Sequence, residues 1–179
     1  MEALKLMLPP NSVLLFEDES DVNLNPTIEK AWGRRGSQQK VPAAGKNRRR
    51  TVFATVAYHD HRVVHLVRER KCSDDFLVFL EHLTAAYSWQ TIFLVLDNGS
   101  CHVAKKVAPA IAERCSRLKL IFLPTYSPHL NVIEPFWRYL KRYVAANRFH
   151  GDVKQMVAAI EQFFVGYEQG VIPAFQFAK

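Results

Sequence analysis

The sequence predicts an α/β domain built on a mixed β-sheet, and two observations support this. Apolar stretches with the character of strands, such as Thr91–Leu96, alternate with stretches whose apolar residues recur at helical spacing, such as 76–87. Residues 51–58 and 62–68 are rich in β-branched residues and are separated by a short turn, which predicts an antiparallel hairpin. Strands that alternate with helices favour parallel pairing, so one sheet would contain both kinds of neighbour.

The elements follow a simple expected order along the chain. An apolar strand at 13–16 precedes a long irregular insertion at 20–50, which has room for a short hairpin near 32–41. Ser73 is the expected N-cap of the first helix, with Asp74 and Asp75 in its first turn. Further strands are expected at 91–96 and 118–123, and further helices at 103–115, 132–146 and 153–167.

Composition narrows the class of protein. The 179 residues are 49% hydrophobic and 23% charged, which is typical of one globular domain. Three cysteines without CxxC spacing argue against a disulfide framework or a structural zinc site and favour a reducing compartment. Because there is neither a membrane-length apolar run nor a signal peptide, we expect no membrane and a cytoplasmic, nucleoid-associated location.

Positive charge is concentrated in the insertion. The net charge is +7, and eight Lys and Arg residues without any acid lie between Lys30 and Arg50. A block of this density is typical of a surface that contacts phosphate, although a solvated flexible loop would have the same composition.

Two acidic residues follow apolar strands directly. Asp18 follows the strand at 13–16, and Asp97 follows Thr91–Leu96. If these strands are neighbours, both carboxylates lie at the same edge of the sheet, where ligands bind in open α/β folds. Two adjacent carboxylates repel each other unless a cation lies between them, and oxygen ligands suit Mg²⁺ or Mn²⁺. Alternatively, each acid caps a turn of its own, as Asp97-Asn98-Gly99 could.

A third acid, Glu134, precedes the predicted helix at 132–146. Asn131 is a candidate N-cap, and Glu134 would be its partner in a capping box. This structural role is compatible with a functional one, because a glutamate in the first turn can also point towards a neighbouring strand end.

The residues around these acids carry a family resemblance. Asp97-Asn98, then His102, then the sequence LPTYSPHLNVIE at 123–134 resembles the signature of mariner-type DDE transposases of the insertion-sequence branch. Thr125 and Val132 replace two prolines of that pattern, and 36 residues separate Asp97 from Glu134. The segments at 16–20 and 32–36 are also similar, so the resemblance extends from about 14 to 164.

The resemblance implies a ribonuclease H-like fold with helices flanking the sheet and a long insertion after the first strand. It implies that Asp18, Asp97 and Glu134 are both catalytic residues and ligands of Mg²⁺ or Mn²⁺, with two ions per site. Asn98 and His102 would be auxiliary. The implied reactions are cleavage of double-stranded DNA and strand transfer during transposition of an insertion sequence, carried out by a homodimer in a synaptic complex.

Strand alternation supports Asp18 over its acidic neighbours, because Glu17 and Glu19 would face the other side of the sheet.

Trp32 could stack on a DNA end or belong to the core. Arg138, Lys141 and Arg142 would share the helix face of Glu134, and an ordinary solvated face is the alternative. The predicted DNA-contacting residues are Arg34, Arg35, Lys46, Arg48, Arg49, Arg50, Arg138, Lys141 and Arg142.

Residues 1–179 are expected to form a single DDE catalytic domain. The helix-turn-helix domains that precede the catalytic region in mariner-type transposases are expected to be absent, so a separate partner chain would have to supply them. Two other functions remain open from the sequence: a ribonuclease H-like nuclease without strand transfer, and a DNA-binding relic without catalysis.

Overall fold

The computed structural model describes residues 8–36, 40–124 and 130–173, which are arranged around a five-stranded sheet of order β3-β2-β1-β4-β5. The strands are β1 (Ser12–Asn23), β2 (Arg49–Ala57), β3 (Val63–Arg68), β4 (Thr91–Leu96) and β5 (Leu118–Phe122). The helices are α1 (Ser73–Ala86), α2 (Val107–Arg114), α3 (Glu134–Val144) and α4 (Val153–Glu168).

The sheet is mixed, as predicted. The three strands β1, β2 and β3 pair in antiparallel fashion, whereas β4 and β5 continue the sheet from β1 in parallel. The predicted hairpin is therefore β2–β3. The central strand β1 has an antiparallel neighbour, β2, on one side and a parallel neighbour, β4, on the other. It pairs with β2 from Leu15 to Asn23 but with β4 only from Ser12 to Phe16.

Each face of the sheet buries its own apolar cluster. Leu14 and Phe16 of β1 pack with Phe136 of α3 and with Phe163 of α4. On the other face, Leu15 belongs to a cluster that includes residues of α1 and α2. Successive residues of a strand point to opposite faces, so the continuous apolar run at 13–16 serves both clusters. This explains why β1 shows no alternation of apolar and polar residues at its start.

The first strand is longer than predicted, which is the main correction to the sequence-based elements. β1 continues to Asn23, because β2 begins at Arg49 and pairs with β1 along its whole second half, from Asn23 with Arg49 to Leu15 with Ala57. The irregular insertion therefore spans 24–48. It contacts the end of α3, where Thr27 forms a bridge with Ala146. Of the hairpin predicted near 32–41, the described residues form no strand, and 37–39 lie outside the described residues.

Two helix starts also differ from prediction. Cys72, rather than Ser73, is the N-cap of α1, and its side chain makes no capping hydrogen bond. The helix expected from 103 begins at Val107. Pro109 explains this second difference, because proline lacks an N–H and its ring clashes with the preceding turn, so it is tolerated only in the first turn of a helix.

Two expectations about composition agree with the structure. Cys72, Cys101 and Cys115 are all free thiols. Within the described ranges, none of the helices has the length and the apolar character that crossing a bilayer requires.

Candidate active site

The parallel pairing of β1 and β4 brings Asp18 and Asp97 to the same level of the sheet. The last pair in this ladder joins Phe16 to Val95, and each aspartate lies two residues further along its own strand direction. Asp97 follows the last residue of β4, whereas Asp18 lies within β1, which continues beyond β4. Asp18 was predicted to end its strand, and it does not. Both aspartates nevertheless lie at the step where β4 stops and β1 continues.

Asp18 faces the helix pair on one side of the sheet. The indole Nε1 of Trp137 in α3 donates a hydrogen bond of 2.9 Å to its Oδ2. Burial raises the pKa of Asp18 to about 6, although hydrogen bonds from the Glu19 backbone and from Trp137 act in the opposite direction. A carboxylate in this position is therefore costly to keep charged unless a cation lies beside it.

Asp97 is held by the loop that follows it. The backbone N–H of Gly99 donates to Asp97 Oδ1 at 2.7 Å, and His102 Nδ1 lies 2.9 Å from the same oxygen. The Asp97 side chain is 54% exposed. One oxygen is thus fixed by the loop and the carboxylate remains accessible from solvent. Asn98 donates from Nδ2 to the carbonyl of Leu123 at 2.7 Å, which ties this loop to the end of β5.

Gly99 is required here by the close approach of the Asp97 carboxylate. A Cβ at position 99 would lie 2.8 Å from Asp97 Oδ1 and 3.2 Å from His102 Nδ1. We expect Gly99→Ala to displace the carboxylate of Asp97, a predicted metal ligand, and to weaken Mn²⁺ binding about 10–100-fold, as changes that disturb the orientation of metal ligands do. Isothermal titration with Mn²⁺ would measure this. Gly151→Ala is the control, since its Cβ would meet the flexible end of Gln155; equal affinities for both variants would contradict the expectation.

Glu134 is the first residue of α3, and this corrects the predicted capping box. The N-cap is Ile133. Asn131 accepts a weak hydrogen bond from Ile133 N–H at 3.3 Å and donates from Nδ2 to the carbonyl of Glu17 at 2.9 Å. Asn131 therefore joins the start of α3 to β1 where β1 has lost its parallel neighbour. Of the signature at 123–134, residues 125–129 lie outside the described residues.

Glu134 lies on the side of α3 that carries a contact to Asp18. Glu134 lies three residues before Trp137, whose indole contacts Asp18, and residues at this spacing share one side of a helix. The Glu134 side chain is exposed. Among the described residues, the group whose candidate ligand atoms all lie within 4.8 Å of one another is Glu19, Cys101 and His102. Asp18, Asp97 and Glu134, all of them described residues, do not form such a group, so their shared role as ligands stays a prediction.

Glu17 and Glu19 face the opposite side of β1 from Asp18, as strand alternation predicts. The Glu17 side chain is completely buried and both of its oxygens lack a hydrogen-bond partner. Burial, followed by the negative charges of Glu19 and Asp18, raises its pKa well above the usual value. Burial alone would also raise the pKa of Glu19, but the hydrogen bond and charge of His102 and the charge of Lys71 hold it at about 2.

Two residues that contact Glu19 were not predicted, the exposed Lys71 and the buried Cys101. Lys71 Nζ lies 2.9 Å from Glu19 Oε2, and the thiol of Cys101 donates to Glu19 Oε1 at 3.0 Å. Cys101 lies between Asp97 and His102 in sequence, so its proximity to the site could have been inferred. Lys71 lies in the β3–α1 connection, where nothing in the sequence distinguishes it from other surface lysines.

The basic residues that were predicted to contact DNA divide into separate surfaces. Arg138, Lys141 and Arg142 line a groove between α3 and the insertion, where Arg142 lies 3.6 Å from Glu29. Arg48 and Arg50 line another groove with Lys154 of α4, a residue that the sequence did not single out. Three further predicted contacts, Arg34, Arg35 and Lys46, are exposed on the insertion.

Arg49 and Arg50 belong to β2 rather than to the loop, and each of them pairs with an acidic side chain. Arg49 pairs with Asp21 at 3.1 Å, and Arg50 pairs with Glu69 at 3.1 Å. Trp32 is fully exposed, which excludes the core role considered for it.

The sheet order, the antiparallel first three strands and the acids at the step between β1 and β4 define the ribonuclease H-like class of domains. Residues 13–157 match the family described as DDE superfamily endonuclease. The chain therefore belongs to this family, which the sequence resemblance had indicated.

Known proteins with related sequence and fold agree with this. The chain is 28% identical over 151 residues to the insertion element IS630 uncharacterized 39 kDa protein of Shigella sonnei, covering 84% of this chain and 44% of that protein. It therefore spans less than half the length of this relative. The Mos1 transposase paired-end complex with left transposon end has a similar fold, with a TM-score of 0.67 at 12% identity over 92% of this chain and 51% of that one.

A retroviral protein has the same fold. The catalytic core domain of BIV integrase aligns with a TM-score of 0.55 at 18% identity, covering 86% of this chain and 82% of that one. At these identities the similarity to both solved structures establishes the fold. It confirms the predicted ribonuclease H-like sheet flanked by helices.

Proposed function

We propose that this chain is the catalytic domain of an insertion-sequence transposase, which cleaves DNA and transfers strands with the help of divalent metal ions. The observation that supports this most is that Asp18 and Asp97 lie at the same level of the sheet, where β4 stops and β1 continues. Trp137 of α3 donates a hydrogen bond to Asp18 there. Two further findings support the same proposal. The chain belongs to the endonuclease family, and it is similar to a protein of an insertion element.

The side chains at this step fit a divalent cation. The predicted ligands are all carboxylates, which are the oxygen donors that Mg²⁺ and Mn²⁺ prefer. Asp18 has a raised pKa because it is buried, and the unpartnered Glu17 lies behind it on the same strand. A cation between Asp18 and Asp97 would remove the cost of this negative charge. A mariner Mos1 complex with Mn and an HTLV-2 integrase core with magnesium have the same fold.

Each residue has a distinct role in this proposal. Asp18 is fixed by the Trp137 indole and Asp97 by Gly99 N–H and His102, so both carboxylates are oriented before any substrate arrives. Glu134 would complete the site from α3. We propose two ions per site, which would activate the attacking oxygen and stabilise the leaving oxygen of a phosphodiester. The protein itself would hold these carboxylates in fixed positions for the ions.

The DNA substrate would contact the two basic grooves, one along α3 and one between β2 and α4. Arg138, Lys141 and Arg142 follow Glu134 along α3. A DNA strand whose phosphates contact these three residues would therefore run along α3 towards Glu134. We propose that a homodimer pairs two DNA ends, and that a helix-turn-helix unit on a separate partner chain recognises their sequence.

Two DNA assays distinguish this function from the alternatives. Metal-dependent nicking of plasmid DNA is expected, and its absence under all divalent ions would favour a DNA-binding relic. Strand transfer from pre-nicked transposon ends into a target is expected next. Nicking without strand transfer, with correctly paired ends present, would favour a nuclease of the same fold.

The Arg48–Arg50 segment provides a test of DNA binding. Replacing Arg48, Arg49 and Arg50 with alanine should weaken binding to a DNA duplex and lower the slope of log affinity against log salt by about one for each phosphate contact that is lost. Fluorescence anisotropy at several salt concentrations would measure both effects. Lys119→Ala, on the far edge strand β5, is the control. An unchanged salt slope in the triple variant would remove this segment from the DNA surface.

A further inference from the structure

The face of β1 behind the candidate active site carries a second group of metal-ligand side chains. We propose that Glu17, Glu19, Cys101 and His102 bind a transition-metal ion of the Zn²⁺ type. This site is separate from the carboxylate site of Asp18, Asp97 and Glu134, and its chemistry does not depend on the proposed function.

The candidate ligand atoms already lie close to metal-binding spacing. Glu19 Oε1 lies 3.0 Å from Cys101 Sγ and 3.0 Å from His102 Nε2. Glu17 Oε2 lies 3.3 Å from the same His102 nitrogen. Ligand atoms around a tetrahedral zinc ion, with bonds of about 2.0–2.3 Å, are about 3.3–3.7 Å apart. The candidate ligand atoms of Glu19, Cys101 and His102 all lie within 4.8 Å of one another, so an ion could take a central position among them after small side-chain shifts, with Glu17 turning in as the fourth ligand.

The orientation of His102 favours a metal on its Nε2 atom. Its Nδ1 faces two acceptors, the carbonyl of Asp97 at 3.1 Å and Asp97 Oδ1 at 2.9 Å, so Nδ1 carries a proton. Histidines that bind metal usually donate their other ring N–H to a carboxylate or a carbonyl in this way. Nε2 is left pointing into the buried group of acids and thiol.

Glu17 is the independent observation that points to a ligand at this group. Its side chain is 0% exposed, and neither oxygen has a hydrogen-bond partner despite the short distance to His102. A buried carboxylate without donors is costly, and coordination to a metal ion removes that cost. Burial of Glu19, Cys101 and His102 alongside it means that a bound ion would be shielded from water.

The donor types determine which metal fits. A thiolate with an imidazole selects borderline or soft ions such as Zn²⁺, whereas Mg²⁺ prefers sites made only of oxygen. Binding would release the thiol proton of Cys101 and any proton on His102 Nε2. Lys71, at 2.9 Å from Glu19 Oε2, and the divalent ion would together balance two carboxylates and one thiolate. The ion would link Cys101 and His102, in the loop after Asp97, to Glu17 and Glu19 of β1.

Titration of the metal-free full chain with Co²⁺ tests this site. We expect a thiolate-to-cobalt charge-transfer band in the near ultraviolet that saturates at one Co²⁺ per chain, independently of Co²⁺ at the carboxylate site, and that Zn²⁺ abolishes by displacement. Cys101→Ser should lose the band and bind Zn²⁺ about 100-fold more weakly, and Glu17→Gln should weaken binding about 10-fold. Cys115→Ser, a buried thiol elsewhere, should keep the band.

Two further measurements keep the test decisive if Cys101→Ser fails to fold. In the wild-type chain, Zn²⁺ should slow alkylation of Cys101 but not of Cys72, as read by peptide mass spectrometry. Asp18→Asn should retain the cobalt band, because Asp18 belongs to the other site. Absence of a thiolate band in the folded wild-type chain, or a band that disappears in Cys115→Ser instead, would overturn the proposal. Loss of DNA cleavage alone would not.

Discussion

Asp97→Asn is expected to reduce metal-dependent DNA cleavage about 1,000-fold or more without unfolding the protein. The amide keeps the size of the carboxylate and can still accept the hydrogen bond from Gly99 N–H. It removes the negative charge that a divalent ion requires, and metal ions contribute several kcal/mol to phosphoryl transfer, where about 1.4 kcal/mol corresponds to a tenfold change in rate. Single-turnover cleavage of labelled DNA in Mg²⁺ and in Mn²⁺ would give the rates.

The matched control is Asp60→Asn, in the turn between β2 and β3 at the opposite end of the sheet. Its carboxylate accepts a hydrogen bond from the Arg62 backbone, which an amide can also accept. Circular dichroism and thermal melting would confirm that both variants are folded. Cleavage by Asp97→Asn at the rate of Asp60→Asn would exclude Asp97 as a metal ligand.

Asp18→Asn is expected to abolish cleavage and at the same time to stabilise the metal-free protein. Burial raises the pKa of Asp18 from 3.8 to about 6, so the folded state disfavours the charged form at neutral pH. A shift of this size corresponds to about 3 kcal/mol, an upper limit for the gain on removing the charge. The oxygen of the substituted amide could still accept the Trp137 hydrogen bond. Urea unfolding in EDTA would measure the difference.

The pH dependence of this difference follows from the direction of the shift. Because the folded pKa lies above the unfolded value, the cost of the charge is full above about pH 6 and disappears as the pH falls towards 4. The stability gap between Asp18→Asn and wild type should therefore shrink across that window. Asp21→Asn, on the same strand but on the other face, is the control. A variant less stable than wild type at pH 7 in EDTA would contradict this account of Asp18.

Much of the sheet could be predicted because its strands are short, apolar and interrupted by strong turn signals. β4 has the bounds that the pattern indicated, and the β2–β3 hairpin follows from two β-branched stretches joined by a tight turn. The extent of β1 could not be predicted. Its second half is rich in acids that would not by themselves form a strand, and it exists because β2 pairs with it after the long insertion.

For a similar reason, the sequence indicated the candidate acids but not the residues that contact them. Asp97 and Glu134 lie in a motif whose residue order is itself informative, and alternation separates Asp18 from Glu17 and Glu19. The roles of Asn131, Trp137 and Lys71 depend on contacts between elements far apart in sequence, such as the 2.9 Å hydrogen bond from Trp137 to Asp18. No local pattern distinguishes a tryptophan that contacts a predicted metal ligand from one that only fills the core.

The most direct test of the carboxylate site is a crystal structure of the protein with Mn²⁺, read by anomalous scattering. We expect a peak within about 2.2 Å of carboxylate oxygens of both Asp18 and Asp97, with the Glu134 side chain turned towards it. The same peak should be missing from crystals of Asp97→Asn. Mn²⁺ found elsewhere, with the space between Asp18 and Asp97 filled only by water at saturating metal, would contradict the assignment of the active site.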